Sequence, residues 1–181
     1  HMKGRKTYSE KKQPKMAFNH KEYETHKSVI AMMLGYFFLR HLNDLYHEFE
    51  GDLISPIVLG EIAHHNVTHF FSKQGTCIEV QKHMSPYPKR QDYLEPTNAF
   101  SISVATGIPR ETVRRKIDKL VKKGWLVKTE RGEVTISESV SEHFTKDFTK
   151  QTLVDLLETS KCILDLLEGT ATTQGHGAGN D

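Results

Sequence analysis

The densest chemistry in the chain lies between Pro109 and Arg131, where nine Lys/Arg stand against three acids, a local charge of +6 in a chain whose net charge is only +2. From Pro109 to Lys123 the apolar residues Val113, Ile117, Leu120 and Val121 are spaced 4, 3 and 1. That is one stripe of a helical period. The other faces of the same helix then carry Arg110, Glu111, Thr112, Arg114, Arg115, Lys116 and Lys119. A guanidinium can bond O6 and N7 of a guanine together, worth roughly 1–3 kcal/mol of discrimination. Lys and Arg also displace the counterions condensed on a phosphate backbone. The N-terminal half of a reading helix is the part that reaches base edges. Arg110, Glu111, Thr112, Arg114 and Arg115 are therefore the candidate base readers. Lys116, Lys119 and Lys122, further along, are candidate phosphate contacts, which position without specifying.

Such a helix needs a frame, and the flanking residues supply the pieces of one. Residues 101–107 read as a short helix ending at Gly107, which suits a left-handed helix end. Ile108 is placed to plug the space between the two helices, and Pro109 presets the backbone for the second. Ser103 provides the small side chain that lets the two backbones approach. Gly124 ends the second helix. Trp125-Leu126-Val127 and residues 133–136 read as two strands with Arg131-Gly132 at the hairpin tip. An arginine at such a tip reaches into the minor groove or touches phosphate.

The stretch from Ile102 to Ile136, and above all GIPRETVRRKIDKLVKKGWL, resembles the winged helix-turn-helix domains of bacterial transcription regulators such as the MarR and GntR groups. The resemblance covers about a fifth of the chain. It implies a sequence-specific regulator, usually a homodimer on a near-palindromic double-stranded DNA site, with the second helix in the major groove and the wing on the minor groove or backbone. The nearest candidate for the first helix of such a domain, Pro56 to Phe71, stands one long connection upstream.

The expected fold class is mainly α with a small β-wing: a winged helix-turn-helix plus long N- and C-terminal helices forming a helical dimerisation body. Residues 1–19 read as a flexible basic tail, 20–72 as a helical region, 73–97 as an irregular connection with a short strand around Cys77 to Gln81, 98–138 as the winged helix-turn-helix, 139–168 as a dimerisation helix, and 169–181 as a disordered tail. In the N-terminal helix, Ile30, Met33, Phe37, Leu42, Leu45 and Phe49 give a wide apolar face. Ser55-Pro56 reads as a cap followed by proline at the first position of the next helix. In the C-terminal helix, Leu153, Leu156, Ser160, Ile163 and Leu167 are spaced 3, 4, 3 and 4, a short a/d seam. Core packing within one chain is the alternative use of that seam. The aromatic residues Tyr36, Phe37, Phe38 and Phe49 serve either as core or as the lining of a pocket for an unidentified small-molecule effector.

Other chemistries find less support. Glu61, His65 and His69 follow each other at i, i+4 and i+8 on one helix face, a spacing two metal ligands accept. No fourth ligand and no cysteine cluster accompany them, so no metal and no cofactor are assigned. A metal-responsive regulator is one alternative, and a winged helix binding protein or RNA is another. No phosphate-binding glycine loop, nucleophile elbow or zinc-protease spacing occurs, so an enzyme is not expected. Cys77 and Cys162 match no metal or redox spacing. The first twenty residues are basic and polar, unlike a signal peptide. The longest apolar run, Val29 to Leu39, has 11 residues, against the about 20 a membrane span needs. A cytoplasmic protein with no membrane partner is the expectation.

Overall fold

A computed structural model describes residues 19–74 and 94–169. The expected N- and C-terminal tails, the strand around Cys77 and most of the connection lie outside these residues, as does the side chain of His69. The chain is mainly helical with one two-stranded antiparallel sheet. The elements are α1 (His20–Glu48), α2 (Ile54–Gln74), α3 (Ala99–Thr106), α4 (Arg110–Lys122), β1 (Leu126–Lys128), β2 (Val134–Ile136), α5 (Glu138–His143), a π-helical turn (Phe144–Phe148) and α6 (Thr149–Leu167). Among the described residues no helix is long and apolar enough to cross a membrane.

The chain divides into two compact units, with the boundaries falling inside α1 and α6. One unit holds the residues up to Phe38 and those from Asp155 onward. Its described part is two helical segments whose apolar residues are mostly uncovered. Ile30 is buried, but Met32 and Tyr36 are 68% and 63% exposed, and Phe38, Leu156 and Leu157 are exposed as well.

The other unit, Leu39–Val154, holds a core assembled from every element it contains. Val58, Leu59 and Ile62 of α2 meet Ile102 of α3 and Val113, Ile117 and Leu120 of α4. Trp125, Leu126, Val134, Ile136 and Val140 close it from the hairpin side. The stripe expected on α4 is thus its buried face, with Val121 half-buried at the edge. α2 packs on α3, α4 and β2. The candidate first helix therefore belongs to the same core as the second and third, although residues 75–98 separate it from them in sequence.

Local chemistry sets each boundary. α1 ends with Glu50 in the left-handed region (φ 56°) and the Gly51 N–H donating to Tyr46 O at 2.7 Å, a Schellman-type closure. The cap of α2 is Asp52 and not Ser55: Asp52 Oδ1 accepts from the Ile54 and Ser55 N–H groups, so the helix begins at Ile54. Ser55 is buried in the first turn and donates its hydroxyl to Asp52 Oδ2 at 2.7 Å. Asn98 caps α3 by accepting from the Phe100 and Ser101 N–H groups.

The hairpin pairs Leu126 with Ile136, Val127 with Thr135 and Lys128 with Val134. Thr97, expected within the irregular connection, adds a third line to this sheet. Its N–H donates to Val134 O at 3.1 Å and its carbonyl accepts from the Val134 N–H at 2.7 Å. Asn66 of α2, fully buried, fixes the arrangement. Its Nδ2 donates to Glu95 O at 2.6 Å and to Val134 O at 3.4 Å, while Oδ1 accepts from the Ile136 N–H at 2.9 Å.

The C-terminal helix is not the single run expected from residue 139. Ser137 caps the six-residue α5, and the π turn then inserts a wider coil before α6 begins. In this region Phe49, Trp125 and Phe144 pack ring against ring at centroid distances of 5.3–6.0 Å. Periodicity of apolar residues does not register an extra residue in one turn, because both sides of the π turn remain helical.

Removing the Asn66 amide leaves buried backbone groups unpaired, at about 1–3 kcal/mol for each. Asn66→Leu, of similar volume, is expected to lower unfolding stability by roughly 2–4 kcal/mol in urea titrations. His65→Leu, at the exposed neighbouring position, is expected to stay within about 0.5 kcal/mol of the parent.

Candidate nucleic-acid interface

α4 is held at a defined angle by the turn before it. Gly107 adopts φ 73°, a conformation costly for any residue with a Cβ, and its N–H donates to Ser103 O. Ser103 does more than keep the helices close. Its hydroxyl donates to Ile108 O at 2.7 Å and ties the turn back onto α3. Thr106 Oγ1 accepts from the Ile108 N–H and donates to Ile102 O. Pro109, with φ −53°, then leads into α4.

With Val113, Ile117 and Leu120 facing the core, helical geometry directs Arg115 and Lys122 directly outward, with Glu111 and Lys119 beside them. Arg110, Glu111, Arg114, Arg115 and Lys119 are exposed, while Thr112 and Lys116 are partly covered. Arg131 is exposed at the hairpin tip. Of the eight expected site residues, seven stand on α4 and Arg131 on the hairpin, and they are not equivalent.

Several are already engaged. Arg114 grips Glu111 with both arms of its guanidinium, Nε at 3.0 Å and Nη2 at 2.6 Å, and Nη1 reaches Asp118 Oδ2 at 3.3 Å. Asp118 in turn accepts from Lys128 Nζ at the end of β1 at 2.7 Å, which joins the helix to the turn end of the hairpin. The hydrogen bond from Arg114 holds the Glu111 carboxyl below its ordinary pKa, and the Lys128 ammonium does the same for Asp118. Both acids are charged at neutral pH. These exposed pairs fix orientation more than they add stability.

Lys116 is turned from outward duty. Its ammonium lies 2.7 Å from Asp52 Oδ2, and the side chains of the two residues are only 20% and 12% exposed. Lys119 approaches the same carboxylate at 3.5 Å. The expectation that Lys116 serves as a phosphate contact gives way to a structural role: it clamps α4 to the start of α2. Lys123 Nζ sits 3.8 Å from the Trp125 ring centroid, and the Arg110 guanidinium lies 5.9 Å from that of Phe100. Among the described residues, no carboxylate is paired with Arg115, Lys122 or Arg131.

The sequence reading missed Asp52 altogether, since its partner is 64 residues away. It also missed Phe100 and Val104, which stand 59% and 70% exposed on α3, the helix packed against α4. Their i, i+4 spacing was the available signal. Of the metal candidates, Glu61 is half-covered and His65 exposed, and no group of three ligating side chains assembles among the described residues. Comparison of the chain with protein-family models, with curated proteins and with solved structures returns no match.

Partial burial acts to raise the Asp52 carboxyl, but hydrogen bonds from Lys116 and from the Ser55 hydroxyl and N–H outweigh it and hold the group well below the usual carboxylate range. A depressed folded-state value gives stability that is complete above the unfolded value of about 3.9 and is lost as the pH falls through the folded one. Asp52→Asn keeps the cap but removes the charge. It is expected to cost roughly 1–2 kcal/mol at pH 7 and to flatten the loss of stability below about pH 4, read by urea unfolding at a series of pH values.

Proposed function

We propose that the unit Leu39–Val154 is a winged helix-turn-helix that reads double-stranded DNA, and that the chain acts as a homodimeric transcription regulator. The observation that carries this reading is the outward face of α4. Among the described residues no carboxylate pairs with Arg115 or Lys122 along it, opposite a buried Val113-Ile117-Leu120 stripe, or with Arg131 at the tip of the adjoining hairpin. A helix that exposes such cations on one face while Arg114, Lys116 and Lys119 are held by fixed acids offers a shaped, positively charged surface. That arrangement suits a phosphate-lined groove.

The surrounding geometry supports the same reading. α3, the turn at Gly107–Pro109 and α4 follow one another as a helix, a turn and a second helix. α2 packs behind them, and the β1–β2 hairpin extends beside α4 through the Lys128–Asp118 pair. In this arrangement α4 enters the major groove with Arg115 and Glu111 toward base edges, Lys119 and Lys122 toward phosphate, and Arg131 toward the minor groove or backbone. Arg114 acts mainly through its pairing, holding Glu111 in place.

Homodimerisation is supported by apolar residues that a single chain leaves uncovered. Met32, Tyr36 and Phe38 of α1 and Leu156 and Leu157 of α6 have more exposure than an isolated chain tolerates well. A two-fold pairing would present two reading helices to half-sites about one helical turn apart, roughly 34–36 Å.

The test begins with selection of bound fragments from genomic DNA, followed by fluorescence anisotropy on the selected site. Arg115→Ala is expected to weaken binding by about tenfold or more and to relax base preference at one position of each half-site. Lys122→Ala and Arg131→Ala are expected to weaken all sequences alike and to reduce the dependence on salt. Affinity indifferent both to ionic strength and to Arg115→Ala would remove the DNA-reading proposal. For assembly, light scattering of Leu157→Asp is expected to show a shift from dimer to monomer, and an unchanged mass would exclude this surface as the interface.

A further inference from the structure

A cavity of about 430 Å³ opens within the unit Leu39–Val154, on the side of α2 that does not face α4. Its walls come from His41 of α1, Phe49 of the turn that follows it, Gly60 and Ala63 of α2, and Phe144 and Phe148 of the π turn. Of the four aromatic residues that the sequence offered as a pocket lining, only Phe49 is present here. Tyr36 and Phe38 are exposed elsewhere on α1.

Among the described residues, the lining carries no Asp, Glu, Lys or Arg. A charged occupant would therefore leave water without a compensating partner, at a cost of several kcal/mol. Rings line one wall: Phe144 and Phe148 meet edge to face at 5.3 Å, and the His41 ring lies 5.7 Å from Phe148. α2 contributes two small residues to the lining, Gly60 and Ala63, beside Pro56, Ile57 and Leu59. A Cβ placed on Gly60 meets nothing within 4 Å, so the space beside this helix is open. Polar groups are few, namely His41, Ser141 and Thr145, and the Thr145 hydroxyl already donates to Ser141 O at 2.7 Å. The volume falls in the ~300–1,000 Å³ range of small-ligand sites, whereas a docked helix needs an extended groove. π turns recur where a helix is bent to serve a site, and here both phenylalanines at the ends of the turn face the cavity.

We propose that this cavity binds a small, neutral, ring-bearing molecule with at most one hydrogen-bonding group directed at His41, and that its occupancy regulates the reading helix. The regulatory half rests on the DNA-reading proposal. The route is short. Pro56 and Ile57, in the first turn of α2, line the cavity, and Asp52 caps that same turn while holding Lys116 and Lys119 of α4. Ile136 and Val140 belong both to the cavity wall and to the core beneath the hairpin. A ligand that displaces the first turn of α2 therefore moves the anchor of α4.

The probe is N-phenyl-1-naphthylamine, a neutral aromatic dye that fluoresces in apolar surroundings, titrated into the full chain without DNA. Saturable binding of one dye per chain is expected. Gly60→Leu puts a side chain into the cavity and replaces glycine by a better helix former, so the fold is kept while dye affinity falls by at least about tenfold. Ala63→Leu repeats the loss by an independent substitution. Gly35→Leu, on α1 away from the cavity with open space around it, keeps the parent affinity. Dye binding that is absent, or equal in the parent and both filled variants, overturns the site. Binding lost in Leu157→Asp but kept in Gly60→Leu also overturns it, since the dye then sits on the exposed faces of α1 and α6. In a second arm, saturating dye shifts DNA affinity by at least about threefold in the parent and leaves Gly60→Leu unchanged. Intact dye binding with no such shift overturns the regulation. Protein that binds no DNA at all overturns the reading proposal and leaves the cavity to be judged by the dye titration.

Discussion

One buried amide sets the frame on which the rest of the Leu39–Val154 unit depends. Asn66 reaches from α2 to the extended segment at Glu95 and to two positions of β2. Buried backbone N–H and C=O groups need partners, and an amide side chain supplies both a donor and an acceptor in fixed directions. Apolar contact alone would bring α2 and the sheet together but would tolerate sliding. With Asn66 in place, α2 has one height and one rotation relative to the hairpin. Val58 and Ile62 then meet Val113 and Ile117, and α4 inherits its position from there.

What the sequence revealed and what it hid divide along a physical line. The α4 stripe, the Gly107 turn and the two strands around Gly132 are local patterns, each written within a few residues, and the structure has them where periodicity and turn chemistry expect. The features that lock these pieces together are pairings at long range. Asn66 meets Ile136 across 70 positions, Asp52 meets Lys116 across 64, and Thr97 joins β2 from the far side of two helices. A single sequence carries no mark of such pairs, because an isolated Asn or Asp reads as loop or surface. Ser103 was read for its size, while its hydroxyl carries the more specific role of closing the turn.

The electrostatics of the α4 face show the same economy of placement. A count of charges from Pro109 to Arg131 treats all nine cations as equal. The structure sorts them into those held by Glu111, Asp118 and Asp52, those lying over the Phe100 and Trp125 rings, and those facing solvent. The held ones brace α4 against α2 and β1, and the free ones define a narrower charged track than the sequence total suggests. Orientation of α4 is thereby settled within the unit itself; on the DNA-reading proposal, this lowers the ordering cost of association.

The ring cluster at Trp125 gives the molecule a built-in optical gauge. Trp125 is the only tryptophan in the chain. Lys123 lies over its face from the end of α4, Phe49 and Phe144 pack against it from the turn after α1 and from the π turn, and the imidazole of His143 lies 5.3 Å from it. His143 in turn reaches Glu48 at 2.6 Å. An indole between an ammonium and an imidazole is a sensitive emitter, because charge and quencher sit on elements that meet only there. Its emission colour and lifetime thus report, without any attached label, whether the end of α4 and the start of the C-terminal helices keep their distance.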